Sequence, residues 1–269
     1  YYYHGVRPAT EWLIEYLKKN NHQEEVIVAT NFAHTVKYYT RDHENIKVIY
    51  IRYYDRGNSD WDYAILANSY INPYHLKRNP WPPQNTIYKV KVDDIPVGAV
   101  VKREDKSDYT GYQAMQNKNY RFAEKELKEA LSLDPNNESA ALNLTTIYVQ
   151  TNQNDKAIAQ ANKLLKVYPN YDKALNLLGI AYMNKNQLNN ALAVFNRITE
   201  VNPKFVSAYY NMGLVYTRMN NAKQALNYFN KAIEVNRRFK PAYVAAANVL
   251  SNQGQTDQAK RYMEVANSL

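Results

Sequence analysis

The 269-residue chain has no cysteine, and this absence excludes disulfide bridges and metal sites built on thiolates. Its seven glycines do not cluster, so the sequence has no glycine-rich loop of the kind that binds phosphate groups. The longest apolar runs, residues 26–29 and 97–101, are far too short to span a bilayer as a helix. The sequence therefore predicts neither a disulfide scaffold nor a membrane helix.

Motifs that carry catalysis are also missing. The sequence has no H-E-x-x-H, no G-x-S-x-G and no pair of histidines at metal-binding spacing. Histidines outside such motifs are usually solvated or locally hydrogen-bonded. The scattered histidines are His4, His22, His34, His43 and His75. Because no nucleophile has a recognisable base, we predict a non-enzymatic chain with no catalytic residues, no metal and no cofactor.

The net charge of +9 comes from basic residues that are well mixed with acidic ones. The longest basic cluster, Arg237, Arg238 and Lys240, is too short for the basic stripe of a nucleic-acid-binding protein. We therefore expect no nucleic acid partner. Anionic lipid head groups and an acidic protein fit this charge equally well.

A period of 34 residues runs through the second part of the chain, where alanine recurs five times at this interval. Glycine, tyrosine, phenylalanine and proline keep the same phase. The positions are Ala123, Ala157, Ala191, Ala225 and Ala259; Gly111, Gly179 and Gly213; Tyr148, Tyr182 and Tyr216; Phe195 and Phe229; and Pro135, Pro169 and Pro203. Small residues let two helices approach closely, aromatic residues fill the gap to the next repeat, and proline ends the second helix.

The fourth repeat carries a nearly complete family signature. Tyr209, Met212, Gly213, Tyr216, Ala225 and Phe229 resemble W-x2-L-G-x2-Y followed by A-x3-F. Over residues 104–269 the sequence thus resembles the tetratricopeptide-repeat (TPR) proteins. The resemblance implies an α-helical TPR solenoid, wound as a right-handed superhelix, with five repeats. We expect these at 104–137, 138–171, 172–205, 206–239 and 240–269.

Residues 1–103 lack the repeat and predict a small α/β domain before the solenoid. Their periodicity predicts helices at 7–20 and 32–39, and strands at 25–30, 46–54, 61–67, 87–92 and 97–102. Asp93 and Asp94 predict the turn of a hairpin between the last two strands. The proline-rich stretch 79–84 predicts an irregular loop.

The same region resembles a second family more weakly. Residues 61–66, 68–76, 79–83 and 89–103 are similar to the soluble tail of bacterial membrane glycosyltransferases related to the dolichyl-phosphate-mannose protein mannosyltransferases. The resemblance implies an extracytoplasmic, periplasmic location, with the chain tethered to a membrane through a segment upstream of Tyr1. It transfers no catalytic residue to this sequence.

The repeats predict a binding surface for a protein or peptide partner. In TPR arrays, positions two, five, nine, twelve and thirteen of each first helix line a groove. The predicted groove residues are Leu142, Thr146, Val149, Asn176, Ile180, Met183, Tyr210, Leu214 and Arg218. Their aliphatic, methionine and amide side chains suit an extended or helical segment with apolar anchors. The alternative is that the N-terminal domain covers these residues, or that they are only solvated.

Asp60, Trp61 and Asp62 form a candidate glycan contact, since carboxylates bind hydroxyl groups and an indole stacks on a sugar ring. The alternative is that Trp61 anchors a strand and Asp60 caps a turn. Two functions therefore stay open. The chain is a noncatalytic protein-interaction module, or it is the accessory domain of a membrane glycosyltransferase whose catalytic part lies elsewhere.

Overall fold

We describe the chain from a computed structural model, which defines residues 5–68, 81–83 and 85–269. Its contacts divide the chain into two units, residues 1–144 and 145–269. Residues 79, 80 and 84 of the predicted irregular loop, and residues 69–76 of the run 68–76, lie outside the described residues.

The described residues of the first unit open with a mixed five-stranded sheet and two α-helices. Its elements are α1 (Val6–Lys19), β1 (Val26–Thr30), α2 (Ala33–Thr40), β2 (Ile46–Tyr50), a 3₁₀ helix (Tyr53–Asn58), β3 (Tyr63–Ala67), β4 (Thr86–Val92) and β5 (Ile95–Lys102). The strand order is β2-β1-β3-β5-β4. Strand β1 is parallel to β2 and β3, whereas β5 is antiparallel to β3 and β4. The predicted α/β region is confirmed.

Both faces of this sheet are covered, because every residue of β3 is buried instead of alternating with exposed ones. On one face, Leu13 and Leu17 of α1 pack in a cluster with Ile65 of β3. On the opposite face, Leu66 packs in a cluster with Trp61. The apolar residues of α1 thus recur at helical spacing because they pack against one face of the sheet.

The second strand is shorter than predicted. We expected it to reach residue 54, but β2 ends at Tyr50 and the chain turns into the 3₁₀ helix. The local tyrosine-rich sequence favours a strand. Contacts with residues more than 80 positions away override that preference, as described below.

The remaining α-helices of the described part of the chain form five pairs, and each predicted repeat contains one pair. They are α3 (Ser107–Gln116) and α4 (Tyr120–Leu133), α5 (Glu138–Gln150) and α6 (Asn154–Val167), α7 (Asp172–Asn184) and α8 (Leu188–Val201), α9 (Val206–Arg218) and α10 (Ala222–Val235), and α11 (Lys240–Asn252) and α12 (Thr256–Ser268). The chain is therefore a TPR-type helical solenoid preceded by a small α/β region.

Close helix approach explains the repeated glycines. A Cβ atom at Gly213 would lie 2.4 Å from Cε1 of Phe229, and one at Gly179 would lie 2.4 Å from Cε1 of Phe195. Both phenylalanines are completely buried. The close approach predicted at the glycine positions is confirmed, but these phenylalanines, which we expected to fill the gap to the next repeat, contact the glycine of their own repeat.

Every turn inside a helix pair contains one residue with positive φ, again at intervals of 34 residues. The φ angles are 58° at Lys118, 57° at Asn152, 58° at Asn186, 56° at Asn220 and 73° at Gly254. Asparagine and glycine tolerate this left-handed conformation better than other residues. Among the described residues, no helix is long and apolar enough to cross a membrane.

Candidate partner-binding surface

Predicted groove residues from the third and fourth repeats lie next to one another. Asn211 Nδ2 donates a hydrogen bond to Asn176 Oδ1 at 2.9 Å, which links α9 to α7. Arg218 Nη1 donates to the carbonyl oxygen of Met183 at 2.6 Å, which links the same two helices further along. Asn211, which was not among the predicted groove residues, is only 6% exposed, so its amide is part of the packing between the two helices.

Apolar side chains accompany these polar groups. Ile180 and Leu214 are half-buried on the same two helices, and Arg218 is exposed. Met183 is only 6% exposed, so its side chain is part of the helix packing and only its carbonyl oxygen takes part in the polar contact. This differs from the prediction that the Met183 side chain lines the groove.

Tyr210 is half-buried at this face and packs edge-on against Phe239, with ring centroids 5.5 Å apart. Burial raises the pKa of its phenol above the ordinary value of 10.0, because the charged phenolate is poorly solvated there. The ring therefore stays neutral at physiological pH and offers an apolar surface.

The predicted groove residues of the second repeat, Leu142, Thr146 and Val149, are all half-buried. Leu142 belongs to the first unit, whereas Thr146 and Val149 belong to the second.

The candidate glycan contact has partners inside the chain. Trp61 is 6% exposed, donates from Nε1 to the carbonyl oxygen of Arg56 at 2.8 Å, and has the Arg103 guanidinium 4.7 Å above its ring. Lys106 Nζ donates to Asp60 at 2.6 Å and to Asp62 at 3.0 Å. A sugar would have to displace Arg103 to stack on the indole ring.

These contacts act on the pKa of Lys106. Burial works to lower it, but the hydrogen bonds and charges of Asp60 and Asp62 together outweigh burial, so the pKa lies above its ordinary value of 10.5. Lys106 is consequently a stable cation between two carboxylates.

One polar cluster was not identified from the sequence. Within the first unit, Arg56 pairs with Glu138 at 2.8 Å and Arg103 pairs with Asp108. The side chains of Arg103 and Glu138 are 4% and 0% exposed. These residues lie in three separate stretches of sequence, and no local motif connects them.

A cleft of about 140 Å³ lies beside this cluster, and its lining includes Arg56, Trp61, Arg103, Asp108, Asp134 and Asn137. Both arginines already have carboxylate partners, so neither is an unpaired cation for an anionic ligand. Among the described residues, no three histidine, aspartate or glutamate side chains gather as metal ligands.

Comparison with known sequence families finds the same repeats. Profiles described as tetratricopeptide repeat match residues 114–170, 206–239 and 241–269, and one described as TPR repeat matches residues 181–220. No protein of curated function matches the sequence.

Solved structures share the helical fold. A structure of MamA is 25% identical, covers 59% of this chain and 92% of its own, and has a TM-score of 0.51. Pseudomonas aeruginosa PilF is 22% identical, with coverages of 59% and 72% and a TM-score of 0.54. TTC0263, a thermophilic TPR protein of Thermus thermophilus, is 21% identical, with coverages of 58% and 86% and a TM-score of 0.52. The two likenesses below 25% identity concern the fold alone.

Proposed function

Because this chain belongs to the tetratricopeptide-repeat proteins, we propose that its repeats bind a partner polypeptide and carry out no chemistry. TPR arrays use the extended surface of stacked helices for binding. The conclusion rests above all on one observation. Asn211 and Arg218 donate hydrogen bonds to Asn176 and to the Met183 carbonyl oxygen, which link the first helices of two successive repeats and leave Asn176 half-buried and Arg218 exposed.

The chemistry of this face suits a peptide. A side-chain amide has both donors and an acceptor, so it can pair with the N–H and C=O of a bound backbone. Ile180, Leu214 and the neutral ring of Tyr210 provide half-buried apolar surface beside the amides. Arg218 adds a cation, which favours a segment that carries a carboxylate.

The test begins with a displayed peptide library selected on the full chain, followed by fluorescence anisotropy with the selected peptides. We expect Asn176→Ala and Arg218→Ala each to weaken binding about tenfold, which corresponds to ~1.4 kcal/mol. Matched controls are Asn190→Ala, an exposed asparagine of the third repeat, and Arg237→Ala, an exposed arginine near the end of the fourth repeat. Equal loss in the controls, or no selectable peptide, contradicts the proposal.

We further propose that the chain is the extracytoplasmic, periplasmic part of a larger membrane protein. Support comes only from the resemblance of residues 61–103 to the tails of membrane glycosyltransferases. The test is the sequence upstream of Tyr1 in the full gene product. Several apolar stretches of about twenty residues are expected, whereas a short cleavable leader alone contradicts a membrane part and favours a secreted adaptor.

The alternative function is that of an accessory domain that binds a sugar or an acceptor, and it depends on Asp60, Trp61 and Asp62. All three have partners within the chain, so a sugar has to compete with Lys106 and Arg103. The test is a titration with mannosides and related sugars, monitored by tryptophan fluorescence. Quenching that Trp61→Phe abolishes supports this alternative, and fluorescence unchanged by every sugar excludes it.

A further inference from the structure

We infer that residues 108–143, in the first two repeats, form an arginine-binding site that the chain fills with its own 3₁₀ helix. This inference is independent of the partner surface proposed above. It concerns only residues of the first unit.

Arg56 is the central residue of the 3₁₀ helix that fills the site. Its Nη1 donates to Glu138 Oε2 at 2.8 Å, and its Nη2 lies 3.9 Å from Asp134 Oδ2. The Glu138 side chain is completely buried and that of Arg56 is 14% exposed. The Arg56 carbonyl oxygen accepts a hydrogen bond from Trp61 at 2.8 Å, so contacts hold both its backbone and its side chain.

The next two residues contact the same repeats. Gly57 N donates to Ser139 Oγ at 3.3 Å, and Asn58 Oδ1 accepts from Asn143 Nδ2 at 2.8 Å. A Cβ atom at Gly57 would lie 2.8 Å from the Cβ of Ser139, so only glycine allows this approach. Three consecutive residues are thus recognised one by one, as a bound peptide is.

A second arginine, Arg103, belongs to the same polar cluster. Arg103 pairs with Asp108 and donates from Nη1 to the carbonyl oxygen of Ser59 at 2.8 Å. Asp108 also accepts from Asn137 Nδ2 at 3.1 Å. Asp108 is therefore engaged on both carboxylate oxygens.

The consequence for the repeats follows from the position of these residues. Asp108 is the fifth residue of the first repeat and Ser139 is the second residue of the second repeat, and both positions line the groove in TPR arrays. Here the chain itself occupies both positions. A partner therefore has no access to them while the 3₁₀ helix is bound.

The test uses the full chain and the variant Arg56→Ala, with hydrogen–deuterium exchange measured by mass spectrometry. Since breaking a buried ion pair leaves an uncompensated charge, we expect exchange at residues 53–58 and 138–141 to rise at least about tenfold. Exchange in α8 to α11 is expected to stay unchanged. Ethylguanidinium in the buffer is expected to restore protection in the variant, and ethylammonium is not, because only guanidinium has the planar fork.

The matched control is Arg41→Ala, since Arg41 lies in the same unit with a side chain 60% exposed. It should leave exchange at 53–58 unchanged. Unchanged exchange in Arg56→Ala, or equal rescue by both cations, overturns the inference. If Arg56→Ala does not fold, Asn58→Ala removes a single hydrogen bond. This milder variant must then raise exchange at 53–58 and 138–141, and unchanged exchange there overturns the inference.

Discussion

A single left-handed residue sets the turn inside each helix pair, and its identity differs among the repeats. The third to fifth repeats use Asn186, Asn220 and Gly254, whereas the first uses Lys118 at φ 58°. A long side chain at positive φ is strained, because its Cβ approaches the backbone. The recurrence of asparagine and glycine every 34 residues is visible in the sequence, but the lysine interrupts it.

Gly254 provides a clean test of this strain. A Cβ atom there meets no atom within 4 Å, so Gly254→Ala changes only the backbone preference at φ 73°. We expect a loss of about 1 kcal/mol in the free energy of unfolding, measured by urea denaturation. Gly254→Asn should cost less, because asparagine tolerates this conformation. Equal stability of Gly254→Ala and the natural chain contradicts the explanation.

Lys118 should respond in the opposite direction. Lys118→Gly removes the strain and is expected to raise the free energy of unfolding by ~0.5 kcal/mol, after the entropy that glycine adds to the unfolded chain. The same substitution at exposed Lys125, inside α4, should instead destabilise by ~1 kcal/mol. A loss of stability at both positions contradicts the prediction.

Helix ends also depend on the residue that directly follows the last helical position. Asp134, Asn202 and Asn236 each accept a hydrogen bond from the backbone N–H two residues later, at 3.0, 3.2 and 3.0 Å. Such side-chain turns stop a helix without proline. They explain why α10 ends at Val235 although Arg237 stands in the place of proline.

The two stop signals can be separated by mutation. Asn236→Ala removes the side-chain turn where no proline follows. We therefore expect the free energy of unfolding to fall by about 1 kcal/mol, measured by thermal denaturation. Losing the same turn in Asn202→Ala should lower the free energy of unfolding by less, because Pro203 still ends α8. Asn202 also donates to Asp172, and Asp172→Ala measures that separate contribution. Equal effects of the two asparagine substitutions, after this correction, contradict the role of proline.

The contact between Gly213 and Phe229 governs how closely α9 and α10 pack. Since an added methyl group would overlap the ring, Gly213→Ala is expected to destabilise by roughly 1–3 kcal/mol. Phe229→Leu should partly rescue it, because the smaller side chain makes room. A double-mutant cycle in urea measures this coupling, and strict additivity of the two changes contradicts it.

Periodic features of this molecule were predictable and aperiodic ones were not. Alanine, glycine and phenylalanine repeat because each repeat solves the same packing problem, so the helix pairs could be found from sequence. The pairs of Arg56 with Glu138 and of Arg103 with Asp108 join an unrepeated region to the repeats. Glu138 lies 82 positions from Arg56, and no local pattern specifies such a contact. The groove positions followed from the repeat register, but the burial of Met183 depended on its neighbours.

Lys106 connects the α/β region to the first repeat, because it precedes α3 and binds Asp60 and Asp62 near the start of β3. Its folded-state pKa lies above the ordinary 10.5, so the folded state holds the proton more tightly than the unfolded state. The stabilisation is therefore complete below about pH 10.5 and disappears as the pH rises through the folded pKa.

We expect Lys106→Met to lower the free energy of unfolding by a constant amount between about pH 7 and 10, with the difference shrinking above that range. Urea denaturation at several pH values measures this, with Lys125→Met as an exposed control. A difference that grows with pH contradicts the assignment, since a cation between two carboxylates stabilises the fold only while it is protonated.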